Sequence, residues 1–402
     1  MGRVLSGPPL AGIRVIEIGN YMAGPFCGMH LADLGAEVIK VENPKGGDLT
    51  RQLQPFQAGE SGSFLRLNRG KRSLALDLKR PRGADIFRRL SARADVVLEN
   101  LRPGTMADLG LSSRSLMDAN ERLVYVAVSG WGQSGPYADR PALDLIVQAE
   151  SGLMSVTGEK DGAPVKVGVS IADLSSALYA TVGTLAALRA RDADGRGQLV
   201  DISMFESAVS LAVWESGQFF TDGAVARANG SAHNFIAPYQ AVRSSDGHFV
   251  IGPTSAPNWT AFLRVLGLEE LAGDPRFTDG PTRKHNVDAL IPLIEAVTVT
   301  NTTAHWLAGL REAGVPCATV RDYGSVLEDP HLSERGFLTD IAHPTLGSVR
   351  ATGSAIGLTR TPPVVGPAGP ALGADSRDVL RELGCAPGDI AALIEEGTVL
   401  AT

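Results

Sequence analysis

The sequence predicts an α/β protein whose core is a largely parallel sheet, and three observations carry that prediction. Short β-branched runs alternate with helical stretches from Ile13 to Val128. A longer segment, Leu174–Leu188, is too uniformly apolar for a surface helix and reads as a central, buried one. The composition is 44% hydrophobic and 20% charged, with 46 Gly and 24 Pro among 402 residues, as in packed α/β proteins and unlike disordered or fibrous chains. That length exceeds one ordinary core, so at least two domains follow.

The first strands are Ile13–Ile18 (IRVIEI), Glu37–Glu42 (EVIKVE), Asp95–Glu99 (DVVLE) and Leu123–Val128 (LVYVAV), each a short run rich in β-branched residues that suits a buried strand. Helical spacing occupies Gly24–Leu34 and Pro81–Ala94, where Pro81 suits a first helical turn. Strand, helix, strand in this order implies right-handed crossovers with helices on both faces. Ligands of such sheets bind at the carboxyl ends of the strands. After the buried helix, Gly195–Gln198 (GRGQ) turns the chain into a short strand, Leu199–Ile202, and a second apolar helix from Phe205 to about Phe220. Small and polar residues over Thr221–Asn234 then read as a linker into another unit. In that unit YQAVRSS and HFVIGP flank Asp246–Gly247 as a hairpin does, and helical spacing continues to about Leu310. Gly314–Val315–Pro316 and Asp329–Pro330 punctuate the return, and PPVVGPAGPALG precedes a short helix over Ser376–Leu383. No repeat of solenoid period is present.

A net charge of −7 provides no basic field for nucleic acid or anionic lipid, so neither is an expected partner. Cys27, Cys317 and Cys385 form no CxxC and no even-numbered framework, which fits a reducing cytoplasm. The opening residues carry no basic region followed by a signal-length apolar stretch. No run reaches the roughly 18 apolar residues that span a bilayer, so export or membrane insertion is not expected.

Several familiar chemistries fail on spacing. GNYMAGPFCG after the first strand puts Gly at 19, 24 and 28, which misses the GxGxxG of nicotinamide folds, and no GxxxxGK[ST] occurs. GQSGP around Ser134 is not a GxSxG nucleophile elbow and reads as a turn. The seven His form no i, i+4 pair, so no metal site is expected. Asp173, in VSIADLSSALYA, stands directly before the apolar helix and is either a cap accepting a backbone N–H or a nucleophile held ionised by the helix dipole. Asp144, in PALDLIVQA, is likewise a cap or a second active-site carboxylate.

The ordered blocks LAGIRVIEIG, AGPFCGMHLADLGAEVIKVENPKGGDLTR, NRGKRSLALDLK, ADVVLENLRPG, SGWGQSGPY, QAESGLMSVTG, VGVSIADLSSALYA and GRGQLVDISM resemble class III coenzyme A transferases of the formyl-CoA and carnitine-CoA transferase type. PYQAV, GVPC and VLRELG extend the resemblance nearly end to end. It implies a large Rossmann-like parallel-sheet domain built from both chain ends, a smaller α+β domain and an intertwined homodimer. On that pattern residues 1–200 form the large domain, 201–225 a linker helix, 226–328 the small domain and 329–402 the return to the large one. The resemblance makes Asp173 the nucleophile, with Asp144 as a possible second carboxylate. It implies coenzyme A contacts from Tyr21, Met22 and Ala23 at the thiol end and from Asn43, Leu76 and Lys79 at the adenine and phosphate end. Asn100, Leu101, Arg102 and Leu109 would flank the ribose and pantetheine. No cofactor is implied beyond coenzyme A, which arrives as an acyl-CoA substrate with a small carboxylic acid as its partner.

The sequence departs from formyl-CoA transferases at Met22, where they carry Gln, and at Asn43 and Asp108, where they carry Arg. A Gly-rich flap is also missing around Gly252–Trp259. His233 and Asn234 before PYQAV are instead similar to relatives that use succinyl-CoA and small dicarboxylates. Two further readings stay open at this point. One is an α-methylacyl-CoA racemase, whose His before the aspartate is here Leu143. The other is a protein that binds coenzyme A without turnover.

Overall fold

The computed structural model describes residues 7–402, so the first six residues of the expected large domain lie outside the described residues. Contacts divide the chain into two compact units: residues 7–151, 167–212 and 330–402 form the described part of one, and residues 152–166 and 213–329 the other.

The first unit is built on a seven-stranded sheet. Its strands are β1 (Arg14–Ile18), β2 (Glu37–Glu42), β3 (Lys71–Leu76), β4 (Val96–Glu99), β5 (Val124–Ser129) and β6 (Leu199–Ser203), with Val399–Leu400 at one edge. The spatial order is Val399–Leu400, β3, β2, β1, β4, β5, β6. All neighbours are parallel except Val399–Leu400, which lies antiparallel to β3. The order reverses at β1, whose two neighbours are β2 and β4, so the loops that follow β1 and β4 diverge and leave a crevice at their carboxyl ends.

The helices that shape the site are α1 (Ala23–Asp33), α2 (Pro81–Ser91), α3 (Asp144–Glu150) and α4 (Ile171–Asp194). Pro81 opens α2, and Ile86, Phe87 and Leu90 pack with Ile16, Ile39, Leu74 and Val97 of the sheet in a core that also takes Val379 and Leu380 from the C-terminal return. Helix α1 is buried on nearly all sides and runs along α4. Its glycines permit close approach: a Cβ on Gly28 would lie 1.8 Å from Glu17 Oε2, and one on Gly24 2.9 Å from Asn100 Oδ1.

In the second unit Gln240–Ser244, Gly247–Ile251 and Cys317–Thr319 form an antiparallel three-stranded sheet, with the predicted hairpin closing at Gly247↔Ser244. Phe249 and Ile251 pack with Trp259, Phe262, Leu290 and Leu310 from the helices that follow.

The structure corrects three expectations. Helix α4 is not enclosed within the chain: Ala177, Ala180 and Thr184 are buried, while Leu178, Tyr179, Val182 and Leu185 are 50%, 43%, 63% and 36% exposed along one face. Small side chains meet α1 and the sheet, and large apolar ones face outward. The helix expected from Phe205 to Phe220 is broken into Met204–Ser210 and Val213–Asp222, and the boundary between the units falls at the break. Residues 201–203 of the expected linker helix belong to β6. Among the described residues α4 alone is long and apolar enough to cross a bilayer, and half of its most apolar window is buried inside the fold.

Candidate active site

The crevice at the switch point holds a cavity of about 380 Å³ lined by Ile18, Gly19 and Asn20 at the end of β1, Val41 to Asn43, Lys45 and Gly47 to Leu49 at the end of β2, Leu76 to Lys79 at the end of β3, and Leu101, Thr105 and Leu109 beyond β4. Asn43, Leu76, Lys79, Leu101 and Leu109 therefore line one space. Lys45 and Lys79 are exposed cations on its wall, and Lys45 was not singled out in the sequence.

Five expected contact residues stand elsewhere. Asn100 pins the loop after β1: its Oδ1 accepts from Asn20 N at 3.0 Å, its Nδ2 donates to Asn20 O at 2.9 Å, and a Cβ on Gly19 would lie 2.0 Å from that Oδ1. Tyr21 is 46% exposed with φ 61°, a left-handed conformation that is strained for a tyrosine. Met22 precedes α1 as its cap position, and Ala23, its first residue, is buried. Arg102 donates to Asp139 O at 3.1 Å on the surface. None of the five lines the cavity: the side chain of Asn100 is taken up in holding the turn at Asn20, and that of Arg102 turns to Asp139.

Beneath the cavity is a sealed ionic network. Lys40 Nζ lies 2.8 Å from Glu17 and 2.8 Å from Asp48, and Lys71 Nζ lies 2.7 Å from Glu17, with all four side chains fully buried. Asp48 also accepts from Tyr21 N at 3.3 Å and Thr50 N at 2.8 Å, which ties the strained loop to the network. Burial alone would raise the Glu17 and Asp48 carboxyls, but the adjacent lysines hold both below the usual range. Glu99, at the end of β4, has no such cation; burial pushes it up to about 7 although it accepts from Leu101 N at 2.7 Å.

The second feature of the unit is a pair of carboxylates at the amino end of α4. Asp173 is not the cap: the cap position is Ser170, which makes no side-chain bond, and Asp173 lies in the first turn. The capping is done from another helix. Asp144 Oδ1 accepts from Ala172 N at 2.9 Å and Asp173 N at 3.3 Å, while its Oδ2 accepts from Gln148 Nε2 at 2.6 Å. Asp144 is the first residue of α3, so its backbone opens one helix while its side chain closes another. Asp173 itself makes no ion pair among the described residues. Burial, with the Asp144 charge adding to it, pushes Asp173 up to about 7, against the expectation of a carboxylate kept ionised by the helix dipole.

Comparison with known proteins agrees on one family. The family model "CoA-transferase family III" matches residues 10–376. The chain is 34% identical over 376 residues to a succinyl-CoA:glutarate CoA-transferase of Mus musculus, covering 93% of this chain and 86% of that one. It is 36% identical over 388 residues to a succinyl-CoA–D-citramalate CoA-transferase of Chloroflexus aurantiacus, covering 96% of each. A crystal structure of a CAIB/BAIF family protein from Brucella suis superposes with a TM-score of 0.84 at 34% identity, over 94% of this chain and 100% of that one. The chain belongs to CoA-transferase family III and is an enzyme that transfers coenzyme A.

Proposed function

Proceeding from that membership, we propose that the enzyme moves coenzyme A from succinyl-CoA to a small carboxylic acid, a dicarboxylate or hydroxydicarboxylate, with Asp173 as the nucleophile. The relatives' donors and acceptors, succinyl-CoA with glutarate or citramalate, support the substrate class. The observation that carries the role of Asp173 is its place in the first turn of α4, without an ion pair among the described residues, on a turn whose N–H groups the Asp144 carboxylate holds.

An Asp173 carboxylate oxygen attacks the donor's thioester carbonyl, the C–S bond breaks, and a succinyl-aspartyl anhydride and coenzyme A thiolate result. The thiolate attacks the aspartyl carbonyl, expels succinate, and leaves an aspartyl-CoA thioester. The acceptor carboxylate then attacks that carbonyl and releases the thiolate, forming a new anhydride whose acceptor carbonyl takes the thiolate back. Acyl-CoA product leaves and Asp173 is regenerated, with no net proton change. A carboxylate suits these steps because its anhydride is about as activated as a thioester, whereas a hydroxyl would be trapped as a stable ester. The cavity at the switch point is the proposed seat of coenzyme A, with Lys45 and Lys79 as phosphate partners and the fixed loop Asn20–Ala23 leading toward the thiol end.

A second copy of this chain is the proposed partner of the exposed face formed by Leu178, Val182 and Leu185 on α4, since an apolar face of that kind is otherwise a liability in water. Three free thiols at Cys27, Cys317 and Cys385 suit a reducing cytoplasm.

One incubation tests the function. Enzyme, succinyl-CoA, a 2-methylacyl-CoA and a panel of dicarboxylic acids are mixed in D₂O and every CoA ester is read by mass spectrometry. New esters of the panel acids are expected. Deuterium at the α-carbon with no new ester would identify a racemase instead, and no change in any ester would leave binding without turnover.

A further inference from the structure

The side chain of Gln148 is fully buried, yet it belongs to neither the cavity nor the carboxylate pair. It stands one helical turn after Asp144 on α3, so the two side chains share a face. Its Nε2 donates to Asp144 Oδ2 at 2.6 Å and to Val169 O at 3.4 Å, and its Oε1 accepts from Val167 N at 2.9 Å. Val167 and Val169 belong to the strap that runs directly into Ser170 and α4. The two routes from this amide therefore converge on one turn: through Asp144 to the N–H groups of Ala172 and Asp173, and through the strap to the cap position.

We propose that Gln148 is a positioning residue for acyl transfer, whose amide holds the Asp144 carboxylate under the amino end of α4 and so fixes where the Asp173 carboxylate stands. This rests on the reading of Asp173 as the nucleophile. An amide meets both demands at this buried point without an ionisable group. It donates to a carboxylate and accepts from a backbone N–H, whereas a carboxylate would repel Asp144 and an apolar side chain would leave Asp144 Oδ2 and Val167 N without this partner. Displacement of a reacting group by about 1 Å costs on the order of a hundredfold in rate, so loose anchoring here registers in the chemical step.

The test is the rate constant of covalent adduct formation, followed by rapid quench and intact-protein mass under saturating succinyl-CoA. Any misfolded fraction lowers the amplitude of that phase but leaves its rate constant unchanged, so a merely structural role would not move it. Gln148→Met should slow the phase by roughly ten- to a hundredfold. Gln148→Glu keeps the acceptor for Val167 and, once ionised, turns a negative charge on Asp144, so its rate constant should fall toward that of Gln148→Met as pH rises. A wild-type rate constant in Gln148→Met would overturn the positioning role. An absence of adduct in the wild-type enzyme would overturn the nucleophile reading on which it rests.

Discussion

Beneath the cavity, Glu17, Lys40, Lys71 and Asp48 are buried with every charge facing an opposite one at 2.7–2.8 Å. At the amino end of α4, Asp173 in the first turn faces the Asp144 carboxylate brought in by α3, and among the described residues no cation pairs with either. The carboxyls of the first group are held low and stay ionised, and Asp173 in the second is pushed up to about 7. Both groups are carboxylates removed from water, so the difference is compensation. Where the fold supplies counter-charges the carboxylates stay ionised as a fixed floor to the cavity, and where it withholds them a carboxyl is left with raised affinity for its proton, the feature on which the proposed nucleophile rests.

The contrast is broken most strongly at its reactive end. Asp173→Asn should lower turnover by on the order of a thousandfold or more while coenzyme A binding, measured by calorimetry, stays near wild type. Its thermal stability should equal or exceed that of the wild type, because a charge without a counter-ion has been removed. A marked loss of stability would mean that Asp173 is structural.

The opposite pattern should follow at the compensated end. Lys40→Met strands Asp48, leaves Glu17 with Lys71 alone, and should cost about 3–5 kcal/mol in denaturant unfolding. A loss near zero would show that the network is not what holds the floor.

Acidity sharpens the comparison further. In the proposed mechanism Asp173 reacts as the anion, so the acid limb of kcat/KM should fall near pH 7 rather than near the ordinary value of about 4. Asp144→Asn keeps an acceptor for Ala172 N and removes the repelling charge, so the limb should move to lower pH. Stability carries the same sign: the native state binds the Asp173 proton more tightly than the unfolded chain does. Wild type should therefore lose stability relative to Asp173→Asn as pH rises from about 4 to about 7, with no further change above that. Urea unfolding of both proteins across that window measures it.

The smallest effect belongs to the cavity wall. Lys45→Ala and Lys79→Ala should each weaken coenzyme A binding by about three- to tenfold, less at high salt, and raise KM without changing kcat. A fall in kcat at constant KM would place these lysines nearer the reacting bond than the cavity does.

Much of the fold was legible because its strands are continuous apolar runs: β2 has the predicted limits and β1, β4 and β5 lie within a residue of them. β3 was not, since it opens with Lys71 and Arg72. Their charges are met by Glu17, Glu37 and Glu382, partners far away in the chain that no local pattern reveals. The exposed stripe of α4 was misread for a related reason, because uniform hydrophobicity says that a face is to be covered but not by what. At the site, Asp144 and Asp173 were visible as acids at helix starts, whereas their relationship, one helix capped by the side chain of another, is tertiary. Gln148 left only a faint signal, an amide one turn after an acid. The β1–α1 glycines were legible as a departure from GxGxxG, and the reason for them, room for Asn100 and Glu17, required the packed structure.

The central claim is that the uncompensated carboxylate is the one that takes the acyl group and then coenzyme A. It is tested most directly by quenching the enzyme after brief exposure to succinyl-CoA without an acceptor and mapping the modified peptide. Coenzyme A in thioester linkage to Asp173, lost in Asp173→Asn, is the predicted result; an adduct on another residue, or full turnover by Asp173→Asn, would contradict it.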